Sequence, residues 1–241
     1  MSQLSAIIVG ANAGLSQMLA HKLASEGVRL GLLAADLDAL APTLDKLPDN
    51  TLAREINIFD ADASRAALQS LWQQFDGVQL VIINTAASHQ ELDLPWAADR
   101  QVLEVNVTGF TALANAAFAE FREQKYGQLA AITSIAGERG GASSAFHASK
   151  AFQQNYLQGL RLHAQRLKLP ITISDLRLGF MEKMQARGSK AWGSNLNTMA
   201  TQILKDLKRA RHTSYITRRW RLIAWLGRWL PEFIYNKRKY K

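Results

Sequence analysis

Short apolar runs, of the length a buried strand needs, fall at residues 4–9, 28–35, 52–58, 77–83, 128–133 and 171–175. Between them apolar positions recur every three or four residues, as along one face of a helix. Leu15, Leu19 and Leu23 mark a helix over 14–27, which Gly27 ends, and Leu68, Leu71 and Phe75 mark another over 64–75. A long helical stretch covers 97–125, with a break or bend expected near Gly109, and a further helix covers 146–168. Apolar strands separated by helices predict an α/β fold: a doubly wound, mostly parallel Rossmann-type sheet with helices on both faces. Such sheets take their ligands at the carboxyl ends of the strands. Chemistry is therefore expected just past Val9, Ala35, Ile83, Thr133 and Leu176.

Two stretches depart from this alternation. Residues 179–196 are mixed in character and contain Gly188, Trp192 and Gly193. So long a loop reads either as a lid over a substrate or as a surface excursion. Near the end, Leu222, Ile223, Leu226, Trp229, Leu230 and Phe233 recur at helical spacing over 220–234, with Arg218, Arg221 and Arg228 largely to another side. This predicts a basic amphipathic C-terminal helix. The expected organisation is one dinucleotide-binding domain over 1–216, including a loop at about 180–198, and a basic, tryptophan-rich extension over 217–241.

Charge sharpens that division. The chain of 241 residues carries a net charge of +9, yet residues 208–241 hold eleven lysines and arginines against the single acid Glu232. Residues 1–207 hold eighteen basic and nineteen acidic side chains, a net of −1. The basicity belongs to the tail, so nucleic acid is not an expected partner of the domain. The tail fits an anionic membrane surface, touched peripherally through 217–241, or packing against the domain or a sister subunit. The absence of cysteine excludes disulfides and thiolate metal sites, no metal site is expected, and the composition suits a cytoplasmic setting. The first residues lack the basic region of a secretory leader.

The first strand runs into Gly10-Ala11-Asn12-Ala13-Gly14-Leu15-Ser16. Gly10 permits a tight turn, and Gly14 lets backbone approach a diphosphate at the start of the next helix. Ser16 stands where a third glycine is usual; it is small enough for close packing, and its hydroxyl offers a phosphate contact. Asp36 lies 22 residues after Gly14, past the second strand, where an acid meets the adenosine ribose or simply sits solvated in a turn. Asp60 reads as an acid for the adenine amino group or as a helix cap. No lysine or arginine occupies positions 12, 13, 34 or 35, so the reading leans to NAD over NADP.

Over about residues 4–180 these features resemble the short-chain dehydrogenase/reductase family. Gly10-Ala-Asn-Ala-Gly14 resembles its nucleotide loop, Asp60 its adenine-site acid, and Asn84-Thr85-Ala86-Ala87 its Asn-Asn-Ala-Gly element. Asn106 matches its helix asparagine, and Ser134 and Lys150 match its catalytic serine and lysine. The resemblance implies a cofactor site of Gly10, Asn12, Gly14, Leu15, Ser16, Asp36, Asp60, Asn84, Ala86 and Lys150. It implies that Ser134 orients the substrate oxygen, that Lys150 contacts the nicotinamide ribose, and that Asn106 holds a relay water. It also implies a homodimer or homotetramer through the helices at 97–125 and 146–168.

The family's tyrosine does not carry over. The Tyr-x-x-x-Lys motif reads Phe146-His147-Ala148-Ser149-Lys150, and phenylalanine has no proton to exchange. His147 is the neighbouring substitute, though adjacent helix residues point about 100° apart. Three functions stay open: a nicotinamide-dependent oxidoreductase with an altered acid–base group and an unidentified alcohol or carbonyl substrate; a dinucleotide-binding sensor or partner protein without dehydrogenase activity; or lyase or isomerase chemistry on the same scaffold.

Overall fold

The computed structural model describes residues 3–89, 93–179 and 194–231. Its core is a seven-stranded sheet in the order β3-β2-β1-β4-β5-β6-β7, parallel at every pairing. The strands are β1 (Ser5–Val9), β2 (Arg29–Ala34), β3 (Leu52–Glu55), β4 (Leu80–Ile83), β5 (Gly127–Ser134), β6 (Ile171–Leu178) and β7 (Thr213–Ile216). The chain builds outward from β1 to β3, then returns to the other side of β1 with β4. The crevice for a ligand therefore opens between the carboxyl ends of β1 and β4, where strand order reverses.

Alternate residues of the strands face two apolar layers. On one side α1 (Gly14–Ser25) and α7 (Leu196–Leu207) cover Ala6, Ile8, Leu30, Leu32 and Ile132, using Leu15, Leu19, Leu23, Met199 and Ile203. On the other, Ile7, Val9, Val81, Leu129 and Ile173 meet α3 (Ala61–Trp72), α5 (Phe110–Gln124) and α6 (Ser144–Arg166) through Leu68, Leu71, Phe110, Leu113, Phe121 and Leu157. A single helical turn, α2 (Ala41–Leu44), precedes β3.

The stretch read as one long helix is α4 (Trp96–Leu103), a π-helical turn (Glu104–Gly109) and α5, continuous rather than broken. Gly109 is required because a Cβ there would meet the Ile58 carbonyl oxygen at 2.7 Å. The composite helix, Trp96–Gln124, is long and apolar enough to cross a membrane, yet its apolar window is 61% buried in the fold, as befits a core helix.

Several boundaries differ from expectation. β3 ends at Glu55 rather than residue 58, because Asn57 turns the chain by accepting from the Phe59 amide at 3.1 Å. β6 continues three residues past Asp175, because Arg177 lies two residues on, on the same strand face, and pairs with it. α7 and β7 were not anticipated. The loop read at about 180–198 lies largely outside the described residues. The C-terminal helix, α8, runs Arg219–Trp229, starting and stopping slightly earlier than predicted.

Candidate active site

The turn after β1 is shaped by backbone. Gly10 has φ +80°, and a Cβ there would stand 2.2 Å from the Asn84 carbonyl oxygen, so β1 and β4 approach as closely as glycine permits. Asn12 ties the turn to β2: its Oδ1 accepts from the amides of Ala35 (2.9 Å) and Asp36 (3.2 Å), and its Nδ2 donates to the Asp36 carbonyl at 2.7 Å. The Asn12 side chain is thus spent on the fold. Ser16 is fully buried, and its Oγ accepts from Asn84 Nδ2 at 2.8 Å, so its hydroxyl faces β4 rather than solvent.

α1 begins without a cap. Ala13, at the N-cap, makes no side-chain bond, and the first turn holds no acid. Ala13 and Gly14 are exposed. The first amides of a helix lack intrahelical acceptors and carry the positive end of its dipole. Here no side chain caps them, and the exposed Ala13–Gly14 start of the helix faces outward, the arrangement by which a helix start takes a diphosphate. The residues present therefore fit a dinucleotide.

Asp36 is exposed, and its Oδ1 accepts from the Ala39 amide at 2.9 Å. Asp60 caps α3, its Oδ1 accepting from the Ala63 amide at 2.9 Å. Each keeps a second carboxylate oxygen. Ala86 is exposed just past β4.

Asn106 sits in the π-helical turn, fully buried. Its Oδ1 accepts from the Ala87 amide and its Nδ2 donates to the Ala87 carbonyl, both at 2.8 Å, which anchors the chain leaving β4. Nδ2 also donates to Ser149 Oγ at 3.0 Å. One turn of α6 away, Gln153 Nε2 donates to the Asn106 carbonyl at 2.9 Å, and Gln153 Oε1 accepts from Lys150 Nζ at 2.9 Å. A continuous polar chain thus runs from the end of β4 to the lysine ammonium.

Lys150 is buried, with Nζ 5.7 Å from the centre of the Phe146 ring. Burial lowers its pKa from 10.5 to about 8, against the opposing pull of Asp175. Ser134 ends β5; its Oγ accepts from the Ala136 amide at 3.1 Å, and its carbonyl accepts from Gln154 Nε2 at 2.7 Å. His147 turns back along α6, with Nδ1 2.9 Å from the Ser143 carbonyl and its ring lying over Gly141. Its ring centre is 6.0 Å from that of Phe146, at right angles.

Two features escaped the sequence reading. Gln153 was missed, although a glutamine three residues past a lysine shares its helix face. The second is a charged group beneath α6. Asp175, fully buried, accepts from Thr133 Oγ1 (2.5 Å) and Arg177 Nε (2.7 Å). Arg177 also donates to Glu138, which accepts from the Tyr215 hydroxyl at 2.7 Å. Two charges at same-face spacing inside an apolar strand were the available signal.

The family model for short chain dehydrogenases matches residues 5–192. The chain belongs to the short-chain dehydrogenase family. This scaffold carries NAD(P)(H)-dependent oxidoreductase chemistry. The chain is similar to an uncharacterized oxidoreductase of Myxococcus xanthus, 32% identical over 182 residues that cover 71% of this chain and 70% of the relative. In fold it resembles a short-chain dehydrogenase/reductase from Burkholderia phymatum in complex with NAD, with TM-score 0.83, 18% identity, and coverage of 94% and 93% of the two chains. It also resembles a Burkholderia cenocepacia short chain dehydrogenase in complex with NADP, with TM-score 0.81, 16% identity, and coverage of 98% and 97%. One likeness holds each dinucleotide, so the lean toward NAD gains no support.

Proposed function

We propose that this dehydrogenase acts on an alcohol or carbonyl substrate and moves its proton through Lys150 instead of a tyrosine hydroxyl. The observation that carries this reading is the buried chain Lys150–Gln153–Asn106, which holds a buried amine beside the Phe146 ring. Burying an ammonium is costly, and an amine that loses its proton near neutrality is suited to acid–base work.

In this reading the open turn at 10–16, with Asp36, Asp60, Asn84 and Ala86 around it, receives the dinucleotide. The nicotinamide supplies hydride exchange when bound. Ser134 orients the substrate oxygen. Lys150 Nζ takes the hydroxyl proton during oxidation and returns it during reduction. Asn106 and Gln153 hold that amine in place, and Phe146 walls it from water.

Hydride-transfer assays on a mixed alcohol and carbonyl panel, with both dinucleotides, test this. Oxidation is expected to rise with pH through about 8, and Lys150→Met is expected to lose roughly 10²-fold or more. Full turnover by Lys150→Met would overturn the assignment. Phe146 itself favours a second reading, dinucleotide binding without turnover. An inert wild type that gains activity as Phe146→Tyr would support that reading instead.

The resemblance also implies self-association through α4–α5 and α6. Leu103, Phe152 and Leu162 stand exposed on these helices. A homodimer or homotetramer is accordingly proposed, and sedimentation equilibrium checks it.

A further inference from the structure

Among the described residues, α8 meets the domain along one side. Trp220 and Ala224 are buried, and Trp220 crosses Gly179 so closely that a Cβ there would lie 2.1 Å from the indole. Arg139 donates to the Gly227 carbonyl at 2.7 Å and to the Leu230 carbonyl, which fastens the far end of the helix. The opposite side carries Leu222, Trp225, Leu226 and Trp229, which are 62%, 58%, 53% and 72% exposed. This differs from the sequence reading, in which the apolar side of the helix was as free to pack inward as outward. The domain is satisfied by Trp220 and Ala224, and the larger apolar stripe faces away.

With 3.6 residues per turn, these four side chains span an arc of roughly 100°. Arg221 and Arg228 line one margin of the arc, and Arg219 lies at the other, donating to Ser194 Oγ at 3.0 Å. Charge selects the occupant. The segment 208–241 holds eleven basic residues and one acid, so a second copy would set arginine against arginine. An anionic lipid surface complements both parts: acyl chains and headgroups take the leucines and indoles, and phosphates take the guanidiniums.

We propose that the outward face of α8 docks this protein on an anionic lipid surface, through Leu222, Trp225, Leu226 and Trp229, with Arg221 and Arg228 against lipid phosphates. α8 packs against the turn that follows Ser134, so docking also places the substrate end of the sheet at the lipid boundary. The proposal does not depend on dinucleotide binding.

The test is flotation of the full chain with vesicles of phosphatidylcholine alone and with about a third phosphatidylserine added. Partition onto the anionic vesicles is expected to exceed that onto neutral ones roughly tenfold or more, and to weaken with added salt. Trp225→Ser with Trp229→Ser is expected to lower it by roughly tenfold. Arg221→Ala with Arg228→Ala is expected to remove the preference for anionic lipid, and stands in for the tryptophan pair should that variant misfold. Equal partition onto both vesicles, or none, overturns the proposal. So does a lipid-free dimer that the tryptophan variant converts to monomer while the wild type ignores vesicles, since the stripe would then join two copies.

Discussion

Taking an ammonium out of water lowers its affinity for the proton, and Lys150 bears that cost inside the fold. Its pKa of about 8 lies below the ordinary 10.5, so between these values the unfolded chain binds the proton more tightly than the folded one. Stability therefore rises as pH climbs through that window, and the penalty is complete below about 8. Lys150→Met is accordingly expected to gain more stability over wild type at neutral pH than near pH 10, measured by urea denaturation at both. An equal difference at the two pH values would show that burial of the charge is not what matters. Gly10 gives a second prediction at this scale. Alanine there meets the Asn84 carbonyl and strains a left-handed backbone, so Gly10→Ala is expected to cost about 2 kcal/mol or more in a thermal melt.

Among the elements, the start of α1 separates stability from function. An aspartate at the Ala13 position would cap exposed amides and stabilise the helix by about 1 kcal/mol. The same carboxylate would occupy the place of a diphosphate. Ala13→Asp is thus expected to melt no lower than wild type while losing dinucleotide affinity. On β6, Asp175→Ala would take one of Arg177's two carboxylate partners, leaving Glu138, and strand the buried Thr133 hydroxyl, at a cost of about 1–3 kcal/mol. Denaturant unfolding checks that value. Elements with sustained periodicity were legible in the sequence: β1, β2, α1, α3 and α6 lie within a few residues of their expected places. β7 was not, since four residues with alternating polarity carry too little signal, and β6 was cut short because Asp175 and Arg177 read as the end of an apolar run rather than as a pair on one face. α7 was legible in principle, with Leu196, Met199, Ala200, Ile203, Leu204 and Leu207 at helical spacing.

Across the whole molecule, the candidate site was legible as a set of residues but not as a network. Gly10, Asn84, Asn106, Ser134 and Lys150 all fall at the carboxyl end of the sheet or on the helices flanking it, as the strand order requires. What the sequence could not reveal is how side chains divide their bonds. Asn12 and Ser16 serve the fold, and Gln153 connects Asn106 to Lys150. Apart from Lys150–Gln153, which share a turn of α6, these bonds join positions far apart in the chain, which only the assembled sheet brings together. The uncapped start of α1 remains the feature on which any dinucleotide chemistry rests. Isothermal titration of wild type and Ala13→Asp with NADH and NADPH tests it directly. The expected result is saturable binding of at least one dinucleotide by wild type and roughly tenfold or greater weakening in Ala13→Asp at unchanged thermal stability. Wild type that binds neither dinucleotide, or a variant that binds as tightly as wild type, would contradict it.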